Sequence, residues 1–153
     1  DELRNEAYAA AKRRLFEYLK PEGYAVVNAD DAFGRTLAET IPNRTILTYG
    51  VEHPAKVTAK DVMCDWEGTR LVLDSPWGVI PMTTPLLGRH NVPNMVAAAT
   101  AMIALGLSPP AVQNGFASLG PARSLGAGRV ASHATVVAGC ETARRGIRFA
   151  LAA

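Results

Sequence analysis

Two carboxamides placed at a helix start are the residues in this sequence best suited to recognition chemistry. Asn91 and Asn94 flank Val92-Pro93, just after the glycine-containing stretch Leu86-Leu-Gly-Arg-His90. Each carboxamide offers a donor and an acceptor together, the pairing needed to read the edge of a purine base. Both residues are equally suited to capping the first exposed N–H groups of a helix. A second polar group, Asn28, Asp30 and Asp31, closes a short apolar run and meets the same two readings, chemistry at a strand end or a turn and helix cap. Cys64 and Cys140 match no metal-ligand or redox spacing, and His53, His90 and His133 are as scattered, so no zinc site is expected.

The elements that must position these groups follow from periodicity. Pro93 suits a first helical turn, because its missing N–H would have no intrahelical partner there. From Met95 to Leu105 almost every residue is small or apolar, which predicts a helix buried on most of its surface. Upstream, Leu3, Ala7, Ala11, Leu15 and Leu19 form a stripe that predicts an amphipathic helix over 2–20, stopped by Pro21-Glu-Gly23. Tyr24 to Val27 reads as a strand, 32–40 as a helix and Thr45 to Tyr49 as a second strand. This is a parallel βαβ unit, and ligands of such sheets collect at the carboxyl ends of the strands. Lys56 to Met63, Arg70 to Asp74 and Val79 to Thr83 read as an antiparallel meander, with turns at Trp66-Glu-Gly68 and Ser75-Pro-Trp-Gly78. A last helix is expected from Pro109 to Leu119, capped by Ser108. Beyond it, Ala134 to Ala138 reads as a strand and Glu141 to Ala153 as a basic, alanine-rich helix. The fold class is therefore α/β.

Composition narrows the partners. The 153 residues carry 16 Lys and Arg against 14 Asp and Glu, a net charge of +2, without a basic block that would mark a nucleic-acid surface. The longest apolar run is too short to span a bilayer, and no signal peptide is visible at Asp1-Glu-Leu-Arg4. Two isolated cysteines fit a reducing cytoplasm. A monomer is expected.

Four stretches, in this order, resemble the Mur ligases, the ATP-dependent ligases that build the peptide of the bacterial cell wall. They are Tyr8-Ala-Ala-Ala-Lys-Arg-Arg-Leu-Phe16, Val26-Val-Asn-Ala-Asp-Asp31, Thr48-Tyr-Gly50 and Leu86-Leu-Gly-Arg-His-Asn-Val-Pro-Asn94. The resemblance spans roughly residues 6–119 and is strongest to the branch that adds the third residue of the peptide, diaminopimelate or lysine. It implies part of the family's central ATPase domain over 1–119, and a hinge with the divergent start of a C-terminal ligase domain over 120–153. It implies ATP and Mg²⁺ as cofactors, and a UDP-muramoyl-dipeptide and a diamino acid as substrates.

By the same resemblance Lys12 stands for the lysine the family carbamylates. That change turns an amine of pKa about 10.4 into an anion whose oxygens suit Mg²⁺. Asn91 and Asn94 stand for the pair at the adenine of ATP, and Arg129, in Gly126-Ala-Gly-Arg129, for the arginine of the hinge.

Departures from the family pattern set the expected limits. No Gly-x-x-x-x-Gly-Lys-Ser/Thr, whose N–H groups would cradle the phosphates, occurs in the sequence. Residues 138–145, Ala-Gly-Cys-Glu-Thr-Ala-Arg-Arg, replace the acidic and histidine-bearing strand end of the family. The chain alone is therefore expected not to catalyse ligation, and its parallel sheet is expected to keep an unpaired edge. Two alternatives remain at this point: a non-catalytic, nucleotide-binding remnant, and a ligase of the folylpolyglutamate or cyanophycin type.

Overall fold

A computed structural model describes residues 10, 11, 13, 14, 16–41, 45–119 and 150–152. Among these, a mixed six-stranded sheet is built from β1 (Tyr24–Asn28), β2 (Thr45–Gly50), β3 (Val57–Asp65), β4 (Gly68–Ser75), β5 (Gly78–Thr84) and β6 (Ala150–Ala152), in spatial order β5-β4-β3-β2-β1-β6. β6, β1, β2 and β3 run parallel, and β3–β4–β5 form the antiparallel meander. The helices are α1 (Ala32–Thr40), α2 (Val92–Ala104) and α3 (Pro109–Ala117), with a 3-10 turn at Arg89–Asn91.

Burial explains the two kinds of strand. In β1, Ala25, Val26 and Val27 are all fully buried. Val26 joins the larger core, made with Leu47, Tyr49, Leu73, Met82 and the inner face of α2. Ala25 and Val27 join a second core with Phe16, Leu19 and Leu37 of α1 on the opposite face. A strand covered on both faces must read as a continuous apolar run. The meander carries a helix layer on one face only, so its strands alternate. Leu71 and Leu73 are buried while Arg70 and Asp74 are exposed, and the exposed residues pair as Arg70–Asp65 and Lys60–Asp74.

Local signals set the element ends. The Asp31 side chain accepts the Gly34 N–H at 3.1 Å and caps α1. Ser108 caps α3 by accepting from Ala111, with two prolines in the first turn. The buried residues of α2 include Val92, Met95 through Thr100 and Ile103, as its composition predicts. At the bulge between Lys60 and Met63, Asp61 takes a positive φ of 52°.

Two expectations are corrected. The N-terminal helix ends at Glu17, and Ala11 is exposed; Phe16 and Leu19 supply the buried contacts, because the chain turns at Tyr18 to drop Leu19 into the second core. Leu3, Ala7 and Leu15 lie outside the described residues. Ala150–Ala152, expected to be helical, is a strand, because the outer edge of β1 offers backbone partners that outweigh alanine's helical preference. The same pairing covers β1 over Ala25 to Val27 and makes β6 the terminal strand, so among the described residues the parallel sheet keeps the open edge expected of it. The strand expected at Ala134–Ala138 lies outside the described residues. No described helix is long and apolar enough to cross a membrane.

Gly34 approaches the β1 terminus so closely that a Cβ there would sit 2.0 Å from the Asn28 carbonyl oxygen. Gly34→Ala is therefore expected to lower the thermal midpoint more than Asp31→Ala, whose lost cap costs about 1 kcal/mol. Thermal unfolding followed by circular dichroism ranks the two.

Candidate functional site

The parallel strands end in a polar cluster on one side of the sheet. The Asn28 side-chain oxygen accepts the Asp30 N–H at 2.9 Å, folding the strand end back on itself. The Asp30 carboxylate accepts three consecutive backbone N–H groups from the segment after β2. Val51 donates at 2.7 Å, Glu52 at 3.0 Å and His53 at 2.7 Å. The His53 imidazole Nδ1 stands 3.4 Å from Asp30 Oδ1. Arg35, from α1, donates to the carbonyls of Ala29 at 2.7 Å and Asp30 at 3.1 Å and clamps the turn from outside. Gly50 is needed here, because a Cβ would lie 2.8 Å from the His53 carbonyl oxygen.

Charge follows this geometry. Burial alone would raise the Asp30 carboxyl, but the N–H donors of Val51, His53 and Glu52 and the His53 side chain hold it below the ordinary 3.8. Beneath it lies Tyr49, whose phenol is pushed up to about 12, first by burial and then by the negative charges of Asp30 and Asp31. Of the two readings of Asn28, Asp30 and Asp31, the turn and cap is the one the contacts support.

Asn91 and Asn94 belong to a second assembly. Val57 and Thr58 of β3 pair with the last residues of β2, Tyr49 and Gly50, so the rest of the meander runs on past the β2 terminus. At about 3.3 Å per residue, Ala59 to Asp65 overhang it by about 23 Å. β5 runs out in the same direction and ends at Thr84. There the buried Thr69 hydroxyl donates to the Leu86 carbonyl at 2.8 Å, and the Leu86 N–H donates to Thr84 Oγ1 at 3.3 Å. A cavity of about 260 Å³ beside this joint is lined by Asp65, Glu67, Thr69, Arg70, Thr83 and Thr84, among others. From the joint the chain passes Gly88 (φ 93°), whose absent side chain makes room for the His90 ring, and enters α2 through the 3-10 turn.

Of the two readings of the carboxamides, the contacts do not support the cap. Asn91 occupies the N-cap position of α2 but in helical conformation, with no side-chain cap bond. The 3-10 turn already uses the adjacent N–H groups, Asn91 donating to Gly88 and Val92 to Arg89. Asn91 Nδ2 instead donates to the Leu87 carbonyl at 2.7 Å. That commits one of its donors and leaves Oδ1 as acceptor. Asn94 is exposed, and among the described residues its side chain makes no hydrogen bond. α2 packs across β1, β2 and β3, but no described hydrogen bond joins the asparagines to the Asp30 cluster.

Lys12 and Arg129, and with them the segment 120–145, lie outside the described residues. Among the described residues no group of three His, Cys, Asp or Glu is placed to hold a metal, and the Asp30 oxygens are filled by N–H donors. Those residues do not make a Mg²⁺ site. At the start of α2, Asn91 Oδ1 and the exposed Asn94 carboxamide carry no hydrogen bond among the described residues.

Residues 4–102 match the Mur ligase middle domain. The chain belongs to the Mur ligase family. Two relatives are each 39% identical to it. The UDP-N-acetylmuramoyl-L-alanyl-D-glutamate–L-lysine ligase of Staphylococcus haemolyticus aligns over 107 residues, 67% of this chain and 22% of the relative. The corresponding 2,6-diaminopimelate ligase of Geobacter metallireducens aligns over 117 residues, 72% of this chain and 23% of the relative. A solved structure of a UDP-N-acetylmuramoyl-L-alanyl-D-glutamate–2,6-diaminopimelate ligase superposes with a TM-score of 0.67 at 33% identity, covering 74% of this chain and 24% of that one. This Mur ligase chain thus spans less than a quarter of the length of these relatives. Its α/β sheet is the architecture they share.

Sequence reasoning named Asp30 but not its partners. His53 and Arg35 carry no local signal, since the turn at 51–53 and the α1 face that bring them in are tertiary. For Asp30 the sign of the pH effect is fixed. A depressed carboxyl contributes stability above its unfolded value, near 3.8, and loses that contribution as pH falls through the lower folded value. Asp30→Asn, which offers an amide where three N–H groups need acceptors, is expected to cost about 1–3 kcal/mol at pH 7. It should also flatten the acid limb of stability below about pH 4. Denaturant titrations between pH 3 and 7 measure both.

Proposed function

We propose that this chain is the portion of an ATP-dependent Mur ligase that holds the adenine of the nucleotide. The ligase adds a diamino acid, diaminopimelate or lysine, to UDP-N-acetylmuramoyl-L-alanyl-D-glutamate in the cytoplasm. The observation that carries the reading is the pair at the mouth of α2. Asn91 keeps Oδ1 free to accept from an exocyclic amine, and Asn94 presents an exposed donor and acceptor one turn along. The names and identity of the relatives favour this reaction over a folylpolyglutamate or cyanophycin ligase.

Within the intact ligase, activation of the substrate carboxylate as an acyl phosphate would precede attack by the incoming amine. Such chemistry needs the phosphates, the metal and the amine held together. In this reading residues 1–119 are part of the central domain, without its phosphate-loop half, and 120–153 are the hinge and the start of the next domain. Lys12, as carbamate, would give an anionic oxygen to Mg²⁺, and Arg129 would approach the nucleotide from the hinge. The chain alone, lacking a Gly-Lys-Ser/Thr loop, is inactive and monomeric in this reading.

Calorimetric titration of the chain tests the adenine role. Adenosine and ATP are expected to bind within about threefold of each other, because no phosphate loop distinguishes them. Asn94→Ala should weaken both about 5–15-fold, the loss of one hydrogen bond of about 1–1.5 kcal/mol. Undetectable binding by the folded chain would leave the non-catalytic remnant as the better description. In the intact ligase, Lys12→Ala is expected to abolish ligation and to be rescued by short carboxylic acids. Activity that stays high without them refutes the metal role.

A further inference from the structure

At the meander end of the sheet β5 is the terminal strand, and among the described residues no strand lies on its outer side. The ladder decides which backbone groups face that way. In an antiparallel pair, residues that exchange both backbone bonds alternate with residues that exchange none, whose N–H and C=O point outward. Pro81 stands opposite Val72 and has no N–H, so its pair is of the second kind. Val79, opposite Asp74, and Thr83, opposite Arg70, share its parity. The outward groups of β5 therefore belong to Val79, Pro81 and Thr83, while Ile80 and Met82 bond to β4.

An open edge of this kind invites a further strand, and β5 lacks the charged side chains that commonly deter one. Gly78-Val-Ile-Pro-Met-Thr-Thr84 carries no charge, and the β-branched Val79 is 71% exposed. The centre of the edge is where it differs from a pairing template. At residue 81 the donor is missing because the residue is proline. The acceptor is taken as well, because Gln113 Nε2 of α3 donates to the Pro81 carbonyl at 2.7 Å. Val112 and Phe116, on either side of Gln113 in α3, are buried in the larger core and hold the amide at this position. An incoming strand would meet a donor and an acceptor at Val79 and at Thr83, and neither at the residue between them.

We propose that Pro81 and Gln113 together form a latch that closes the β5 edge to strand addition. Each withdraws one of the two backbone groups of a single residue, and either alone would leave the other group open. The strand kept out is an extended, uncharged one, and β5 of a second copy has that character. Two such strands laid antiparallel about residue 81 would set Val79 of each opposite Thr83 of the other, a two-fold arrangement. The latch accords with a monomer and does not depend on nucleotide binding.

The double variant Pro81→Thr, Gln113→Ala frees both groups. In sedimentation it is expected to pass from monomer to dimer as concentration rises, while the unaltered chain shows no such change. Amide exchange at Val79 and Thr83 should slow about tenfold on association, with Ile80 and Met82 protected throughout. Adding Val79→Lys to the double variant puts a charge on the exposed edge and should restore the monomer. A double variant that sediments like the unaltered chain, or that associates with Val79 and Thr83 left unprotected, overturns the proposal. Gln113→Ala alone supplies a readout that does not depend on the double variant folding, since Gln113 belongs to neither core. A peptide of residues 78–84 carrying Pro81→Thr should slow exchange at Val79 and Thr83 in this variant and leave the unaltered chain unchanged. The same response from both chains, none in either included, overturns the proposal too.

Discussion

The constraint on which the rest of the structure depends is the burial of β1 from both faces. Ala25, Val26 and Val27 leave no side chain in water, so a layer of helix must lie above and below them. α2 meets the first requirement, and α1 with Phe16 and Leu19 the second. Once those layers are in place the ends of β1 and β2 are fixed on one side, and every polar group that can do chemistry is carried from that frame. The meander is under no such demand. Its outer face is wet, its strands alternate, and its ion pairs are surface pairs of the kind that add little stability.

Two polar joints translate this frame into positions for the functional groups. At the first, the Asp30 carboxylate gathers three successive N–H groups and so ties the end of β1 to the turn after β2. A single charged acceptor with three donors is strong because each bond is charge-assisted, and because no donor is left over to be desolvated for nothing. At the second, buried Thr69 and Thr84 hold Leu86, and Asn91 holds Leu87, so the start of α2 is fixed before the helix begins. The two joints divide the work. One stiffens the strand ends, and the other aims the carboxamides.

Membership of the Mur ligase family gives these joints their meaning. The chain shares with its relatives the middle domain over residues 4–102, while the sequence holds no phosphate loop. Recognition of a base and activation of a phosphate are physically separable tasks. The first needs a few oriented dipoles at a rigid helix end. The second needs a run of convergent N–H groups and a metal. The proposed function rests on the first task, because the oriented carboxamides at the start of α2 are the groups of this kind that the described residues offer.

Much of this was legible in the sequence because the relevant physics is local. The period-two pattern of the meander, Asp31 three residues before Gly34, Ser108 before two prolines and the apolar run of α2, interrupted by Thr100, depend on neighbours within a turn or a strand, and those elements formed where their patterns lay. The family motifs were legible for the same reason. What the sequence could not decide were contacts made across long separations. Asn91 braces Leu87 rather than capping α2, because the 3-10 turn holds it in helical conformation and Pro93, two residues on, has no N–H to offer. Asp30 found Val51, Glu52 and His53 only because β2 ends beside β1. Ala150–Ala152 has the composition of a helix and became a strand because an unpaired edge of β1 was there to receive it. Propensities of a few tenths of a kcal/mol per residue set local conformation only where no buried backbone group elsewhere in the fold is waiting for a partner.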